Sequence, residues 1–519
     1  MIDRIVIHAT LWVLWLVRKF ISIDRRTYLA LSAGSLQPML ARIGNLRAHA
    51  AFIKAQERCP AYQDFLKAEN YSEPTRWSLS RLPVMTKENY VKKYGIEQRC
   101  YDGKIPASGV VIDESSGSSG VPNNWVRSAE EREDVKRILQ LNYQLIYRDE
   151  GCILLNCFAL GPWATGMNVS MSLVDVGILK SIGPDQKKLE NTLELFGANY
   201  RYLVFGYPPF IKQFVDSTQL ELEKYNLDLI VGGEGISEGL RSHLLKYFRT
   251  VISSYGASDL EINIGVETEL TIGLRRLCTT DRRLCEKLFG RETAPMVFQY
   301  NALDYVIETN EAGELLFTIS RQTSAAPKIR YNLRDLGGVM THRQLADRLD
   351  KNGVSVSDLT ARQSKFPILY VFGRGDLTVP FYGAKVYPTD IEVIMSADPV
   401  LVDQINSFQL VSYEDEQINR RLKIHLETAK DFAGELPPIE KLRDIFLKAC
   451  ANAIRIFARS PGCLIAAPSK LKFIHTRPGL LRAATSASRT NISVEILLSP
   501  QGANHLRRRQ SQSGACWPA

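Results

Sequence analysis

Residues 113–125 read DESSGSSGVPNNW, in which Ser115 to Gly120 carry nothing larger than a hydroxymethyl group and Pro122 closes the run. In isolation such a stretch is a flexible linker. Its flanks argue otherwise. Upstream, ASGVVI (Ala107 to Ile112) is a β-branched run of strand type. Downstream, Ser128 opens an S-x-x-E capping box with Glu131, and Val135, Ile138, Leu139 and Ile146 recur at helical spacing through about Tyr147. The stretch therefore reads as a loop joining a strand to a helix. Loops at the carboxyl ends of sheet strands collect ligands because their backbone N–H groups have no ladder partner. Glycines let those amides approach an anion, and serine hydroxyls add donors, so phosphate is the expected ligand. Gly120 is followed by Val121 and Pro122 where a Walker A motif needs Lys and Ser/Thr, which excludes that motif.

The pattern alternates on both sides of this loop. Leu36 to Lys67 is helical, and Thr86 in RLPVMTKENYVKKY (Arg81 to Tyr94) is an N-cap. Strands are expected at Cys152 to Cys157, Tyr202 to Phe205, Leu227 to Val231 and Val251 to Ile252. Helices are expected at Leu189 to Phe196, at Pro208 to Leu222 and after Ser237. Strands alternating with helices predict an α/β fold with a mostly parallel sheet flanked by helices. From Asp304 to Tyr331 the period drops to two, with Leu315 to Ile319 and Ile329 to Tyr331 as antiparallel strands of a small β subdomain. A small α+β domain is expected from residue 374. It carries a strand at Leu377 to Phe381, a helix from Thr389, strands at Phe408 to Tyr413 and Arg421 to Leu426, and a helix from Ile439 to Phe457. The expected divisions are an apolar and basic segment 1–35, a large domain 36–373, the small domain 374–482 and an irregular basic tail 483–519.

At 519 residues, 45% hydrophobic and 23% charged, the composition is globular and long enough for more than one domain. The formal charge of +9 comes without a basic helix, zinc-finger spacing or interleaved aromatic and basic motif, so no nucleic-acid partner is expected. The nine cysteines lack zinc spacing and read as buried, reduced thiols of a cytoplasmic protein. Ile5 to Val17 is apolar but only about two-thirds as long as a spanning helix. It reads first as a core or capping helix. The second reading is a peripheral membrane contact through residues 1–20, with Trp12 and Trp15 at the interface and Arg18 and Lys19 facing headgroups.

Further loops carry unusual chemistry: GGEGISEGLR (Gly232 to Arg241), SSYGASDLE (Ser253 to Glu261) and RYNLRDLGG (Arg330 to Gly338). Singly, each is a turn, a satisfied Tyr or a capping Asp. In order with FGRGD (Phe372 to Asp376) and GAKVYPTDIE (Gly383 to Glu392), they resemble the adenylate-forming acyl-CoA and aryl-CoA synthetases, most closely the phenylacetate–CoA ligase-like branch. CPAYQDFL (Cys59 to Leu66) and LPVMTKENY (Leu82 to Tyr90) also look like that branch, and the likeness runs from about Leu36 to Gly479.

The resemblance implies that Ser115, Ser116, Gly117, Ser118, Ser119 and Gly120 wrap the phosphates of ATP. Tyr255 would stack beside the adenine, Gly233 and Glu234 would line the same pocket, and Gly256, Ala257 and Ser258 would supply backbone contacts. Asp259 stands where the family has Glu and would hold Mg²⁺ with help from Glu261. Asp335 would accept from the ribose hydroxyls, Arg374 would approach the nucleotide, and Asp376 would be the hinge of the small domain. The implied reaction is attack of a carboxylic acid on ATP to give an acyl adenylate, then transfer to coenzyme A. Chemistry of this kind needs positioning and charge neutralisation more than a protein nucleophile, in keeping with a motif set poor in His. Transfer to an amine or a carrier-protein thiol is the alternative. Phe158, Trp163, Phe205 and Tyr207 are candidates for an apolar acyl pocket and equally for ordinary core.

The sequence departs from the family twice. Val121 stands where relatives often have Lys. PGLLR (Pro478 to Arg482) begins the terminal turn of relatives, but AATSASRTN follows without the lysine that bridges carboxylate and phosphate. Losing one such charge costs about 10²–10³ in rate, which makes a nucleotide-binding protein with impaired catalysis a further reading. The tail from Ala483 holds Arg489, Arg507, Arg508 and Arg509 against Glu495 and reads as out-of-frame translation, which the nucleotide sequence of the gene would decide. Lys470 and Lys472 fall on an expected strand before the turn and are poor substitutes.

Overall fold

The computed structural model describes residues 10–13, 30–74, 76–115, 123–147, 151–360, 364–375, 379–381, 384–386, 405–418, 420–428, 470–474 and 491–497. α1 (Gln37–Arg58) and α2 (Pro60–Ala68) divide the expected helix Leu36–Lys67. Pro60 forces the break, since the residue before a proline is driven to extended backbone and Cys59 has φ −110°, ψ 107°.

The loop of residues 116–122 connects the arms of a hairpin. β1 (Val111–Ser115) pairs antiparallel with β2 (Asn123–Arg127) in a two-stranded sheet, Ser115 opposite Asn123 and Val111 opposite Arg127. The expected strand at Ala107 starts four residues late, and the expected strand-to-helix connection is instead strand to strand. β2 escapes the pattern because Asn123 and Asn124 are poor strand formers, while burial of Trp125 and Arg127 holds the strand in place. The helix α3 (Ala129–Tyr147) follows, and Ser128 Oγ accepts from Glu131 N at 3.0 Å, half of the expected box.

Beyond α3 one sheet of eleven strands carries the molecule. Its strands are β3 (Cys152–Asn156), β4 (Ile178–Ser181), β5 (Arg201–Gly206), β6 (Asn226–Gly232), β7 (Val251–Tyr255), β8 (Gly265–Val266), β9 (Met296–Tyr300), β10 (Tyr305–Thr309), β11 (Glu314–Ile319), β12 (Tyr331–Met340) and β13 (Ile368–Arg374), in spatial order β10-β11-β12-β13-β9-β8-β7-β6-β5-β3-β4. From β4 to β7 the neighbours are parallel; from β7 to β10 they are antiparallel. The expected antiparallel subdomain therefore joins the parallel half edge to edge.

Alternation explains why the parallel strands read as continuous apolar runs. Ile153, Leu155, Tyr202 and Val204 pack on one face with α5 (Gln186–Phe196), α6 (Pro208–Ser217) and α7 (Glu238–Leu244). Leu154, Leu203 and Phe205 pack on the other with α3 and α4 (Ala164–Leu173). α6 stops five residues short of the expected Leu222, because Ser217 Oγ bonds back to Gln213 O at 2.6 Å and Thr218 Oγ1 accepts from Leu220 N at 3.3 Å. On the antiparallel half, α1 and α2 bury Phe52, Tyr62 and Phe65 against Leu315, Phe317 and Tyr331. The opposite face buries Val297, Met340 and Ile368 under α8 (Glu269–Thr280), α9 (Arg282–Phe289) and α10 (His342–Asp350).

After β13 come the hairpin β14 (Val379–Phe381) and β15 (Ala384–Val386). A four-stranded antiparallel sheet then forms from β16 (Ile405–Glu414), β17 (Arg420–Thr428), β18 (Lys470–Ile474) and β19 (Asn491–Leu497), in order β16-β17-β19-β18. β19 lies in the stretch expected to be irregular; its register sets Glu495 opposite Lys423 on one side and Lys472 on the other. The expected helices at Thr389 and Ile439 lie outside the described residues, as do most of residues 1–35. Among the described residues no helix is long and apolar enough to cross a membrane.

Candidate active site

β7 sits at the seam of the sheet, parallel to β6 and antiparallel to β8, so the chain leaving it at Tyr255 enters a crevice where strand direction changes. The turn beyond is tight. Ala257 N donates to Glu261 O and Leu260 N to Ala257 O, both at 2.9 Å. A Cβ on Gly256 would lie 2.6 Å from Asn263 N, so only glycine fits there. Ala257 therefore spends both its amide and its carbonyl on hydrogen bonds inside the turn, which leaves its amide unable to make the expected backbone contact to a ligand.

Tyr255 and Asp335 meet in this crevice. The phenol donates to Asp335 Oδ2 at 2.6 Å, and the ring lies on Phe317 (centroids 6.0 Å apart, 28° between planes) and Phe298 (5.6 Å, 36°). Burial first, and the Asp335 carboxylate second, push the phenol well above its ordinary range, which keeps it a donor. Asp335 is placed by an irregularity. The sequence puts it after a short strand, but β12 runs on to Met340 with a register shift between Leu336 and Gly337, and Asp335 pairs across to Arg374 of β13. Arg334 turns through φ +65°, its N–H donating to Asn332 Oδ1 at 2.6 Å. Asp335 and Arg374, both singled out in the sequence, thus stand side by side.

The GGE loop adjoins them because Gly232 of β6 pairs with Ser254 of β7. Gly233 has φ +81°, and a Cβ there would come 2.6 Å from the Tyr207 ring. Tyr207 meets Phe158 edge to face at 5.0 Å, and Glu234 is buried behind the two glycines. Of the acyl-pocket candidates, Phe158 and Tyr207 border this loop, but Phe158 and Phe205 both belong to the core under α3 and α4, and Tyr207 packs against it. Trp163 forms a parallel bridge to Glu114 of β1, tying the hairpin to the same region.

The hairpin reaches the crevice through a buried charge network. Arg127 donates from Nε to Asp113 at 2.9 Å, from Nη1 to Glu131 at 3.0 Å and from Nη2 to Ser258 O at 2.6 Å. Glu131 also accepts from Lys328 at 3.3 Å and from Ala325 N at 3.2 Å. Burial alone raises the Glu131 pKa, but Lys328 and Arg127 outweigh it and bring it to about 2. Ser115 ends β1 buried, with no hydrogen-bond partner for its hydroxyl among the described residues. Ser116 to Gly120 and Asp376 lie outside them.

The two acids assigned to Mg²⁺ do not fit that task. Asp259 accepts the Trp125 indole N–H on Oδ1 at 3.0 Å and has the Lys87 ammonium 3.6 Å from Oδ2. Glu261 turns into the core, where Oε2 accepts from Arg321 and, at 2.7 Å, from Tyr305. Among the described residues no three of His, Cys, Asp or Glu gather as metal donors. Lys87, Trp125, Arg127, Arg321 and Lys328 were not singled out from the sequence. Lys87 follows the Thr86 cap, where a lysine has a solvated default, and nothing local marks its partner. The six described cysteines are buried and unpaired, as expected; burial raises Cys100 to about 11 and Cys152 to about 12.

No protein-family model matches the sequence, and no curated protein matches it. Solved structures do. 2-Hydroxyisobutyryl-CoA ligase, in its thioesterification state with 2-HIB-AMP and CoA, aligns over 93% of each chain at 13% identity with a TM-score of 0.56. The same ligase in its postadenylation state gives a TM-score of 0.48. o-Succinylbenzoate CoA synthetase from Bacillus subtilis gives 0.42 at 12% identity over 66% of this chain and 62% of its own; these two weaker matches carry no argument. The first alignment shows that this chain has the fold of an acyl-CoA ligase over nearly its whole length.

Proposed function

We propose that the protein is an adenylate-forming ligase that activates a carboxylic acid with ATP and passes the acyl group to coenzyme A. The observation that carries this reading is the 2.6 Å bond from Tyr255 to Asp335, which brings together two motifs 80 residues apart beside the GGE loop, in the fold of a CoA ligase. In the first step a carboxylate oxygen bonds to the α-phosphorus, the bond to pyrophosphate breaks, and an acyl adenylate remains. In the second the coenzyme A thiolate attacks the acyl carbon and AMP leaves.

The chain's residues have matching parts. Asp335 takes the ribose hydroxyls, with Arg374 beside it at the nucleotide. Tyr255 takes the adenine beside its ring. Ser115 and the loop to Gly120 receive the phosphates, and Asp376 serves as the hinge. Phe158 and Tyr207, at the edge of the GGE loop, favour an aromatic or otherwise apolar acid. No step is assigned to a metal held by this chain.

Exchange of labelled pyrophosphate into ATP over a panel of carboxylic acids tests the proposal, with coenzyme A added afterwards and the product weighed by mass spectrometry. Exchange that depends on an apolar acid, followed by a CoA thioester, is expected. Its rate should lie about 10²–10³ below that of an enzyme with the terminal lysine. ATP binding without exchange for any acid would favour the non-catalytic nucleotide-binding reading, which the missing lysine supports.

A further inference from the structure

We infer that Asp259 is a positioning residue that clasps the β1–β2 hairpin to the turn beyond β7, and that this chain holds no metal ion through Asp259 and Glu261. The inference rests on the nucleotide reading above, because the clasp matters through the loop that the hairpin carries. Trp125 is 1% exposed, so its indole N–H is a buried donor that needs an acceptor, and Asp259 Oδ1 supplies one at 3.0 Å. The ring is fixed on its other sides as well. Arg99 and Lys328 lie 5.0 and 5.1 Å from its centre, and Tyr331 meets it edge to face at 5.9 Å.

Asp259 is itself buried, and its second oxygen faces the Lys87 ammonium. A divalent ion drawn to that oxygen would stand against a like charge, and one drawn to Oδ1 would compete with the indole for its acceptor. Glu261 offers no way round this: it is buried, its Oε2 is held by Tyr305 and by Arg321, and its Oε1, without a hydrogen-bond partner among the described residues, is enclosed with it, so the Arg321 guanidinium already neutralises the carboxylate that an ion would need. The side-chain length agrees. A glutamate at 259 would extend one methylene further into the space that Trp125 and Lys87 fill. What the carboxylate does instead is join three segments: the Thr86-capped turn through Lys87, the strand after the SSGSSG loop through Trp125, and the turn that follows Tyr255.

The two roles separate experimentally. An amide still accepts the indole N–H but is a poor ligand for a divalent ion. A clasp therefore predicts that Asp259→Ala raises KM for ATP about tenfold in pyrophosphate exchange, the scale of one buried charged hydrogen bond. Asp259→Asn should recover most of that loss. Trp125→Phe should reproduce the part of the loss that comes from the indole bond, and adding it to Asp259→Ala should change little further, because the alanine variant has already lost that bond. A metal ligand would leave the asparagine variant as damaged as the alanine one and make the two effects multiply; either result overturns the inference.

Two readouts do not depend on activity. Titration of the nucleotide-free protein with Mn²⁺, followed by electron paramagnetic resonance, should find no site that Asp259→Asn abolishes, and such a site would overturn the clasp. Tryptophan emission should change in Asp259→Ala but hardly in Asp259→Asn, with the difference absent in a Trp125→Phe background; equal emission in all three overturns it. If the wild type exchanges no pyrophosphate with any acid, the ligase reading fails alone, and these two measurements still decide the clasp.

Discussion

Tyr255 does two jobs at one position. Its ring lies against Phe317 and Phe298, and its hydroxyl holds the Asp335 carboxylate, which we propose takes the ribose. A hydrogen bond to an ionised group is worth roughly 1.5–3 kcal/mol, so Tyr255→Phe should weaken ATP binding by about tenfold or more while keeping the stacking surface. Calorimetric titration with ATP checks this. In an Asp335→Asn background the same change should cost much less, because the charge that the phenol steadies has gone. Equal losses in both backgrounds would mean that the hydroxyl acts elsewhere. Both residues were legible in the sequence as an aromatic and a carboxylate in motif-like loops. Their contact was not, since it joins strands separated by 80 positions and depends on a bulge in β12 that no local pattern announces.

At the scale of elements, the hairpin and α10 make opposite uses of buried charge. The hairpin spends Arg127 on Asp113, Glu131 and two carbonyls of the turn after β7, so Arg127→Met takes the cationic partner from buried Asp113, leaves Glu131 to Lys328 alone and should cost about 3–5 kcal/mol. A fall in the urea midpoint with an unchanged slope is the expected observation. α10 instead keeps a charge away. His342, its first residue, is 9% exposed, and burial, with Lys365 second, lowers its pKa to about 4. Below pH 6.5 the unfolded chain takes up a proton there that the folded chain refuses. Stability from this residue is therefore complete above pH 6.5 and is lost as pH falls toward 4. His342→Asn should flatten that part of the stability profile measured by urea unfolding. The parallel strands were readable because Ile153 to Leu155, Tyr202 to Phe205 and Leu227 to Val231 are almost wholly buried and apolar but for Asp228, which Arg201 pairs at 2.9 Å. β2 was not, because Arg127 and Asn124 belong in a strand only once their distant partners exist; Asp259 is 134 residues from Trp125.

Across the whole molecule, the site follows from where one sheet changes direction. β7 is the hinge line of that change, so the GGE loop, the turn beyond Tyr255 and the β12–β13 pair collect on one rim, while α1 and α2 merely cover the antiparallel half behind it. The α/β alternation legible from residues 152 to 252 therefore sufficed to locate the rim, although the joining of the two halves into one sheet was not foreseen. Among the described residues, the C-terminal sheet meets this rim through the β16–β17 hairpin. Glu414, at the end of β16, accepts from Ser237 Oγ at 2.5 Å, and Ser237 is also the cap of α7, accepting from Leu240 N at 3.0 Å. Four residues on, Ile418 packs against the core beneath α7 with φ +61°. A left-handed β-branched residue costs about 1–2 kcal/mol, which packing there must offset. Glu414→Ala removes the bond to Ser237 and leaves the helix cap intact, so opening of residues 405–428 should become about tenfold more frequent while β6 and α7 keep their protection. Hydrogen exchange read peptide by peptide measures this. A Ser237→Ala variant should loosen both regions, since it loses the cap as well. If Glu414→Ala leaves exchange in residues 405–428 untouched, the hairpin does not depend on the bond to Ser237, and the GGE loop is not coupled to the C-terminal sheet through its helix cap.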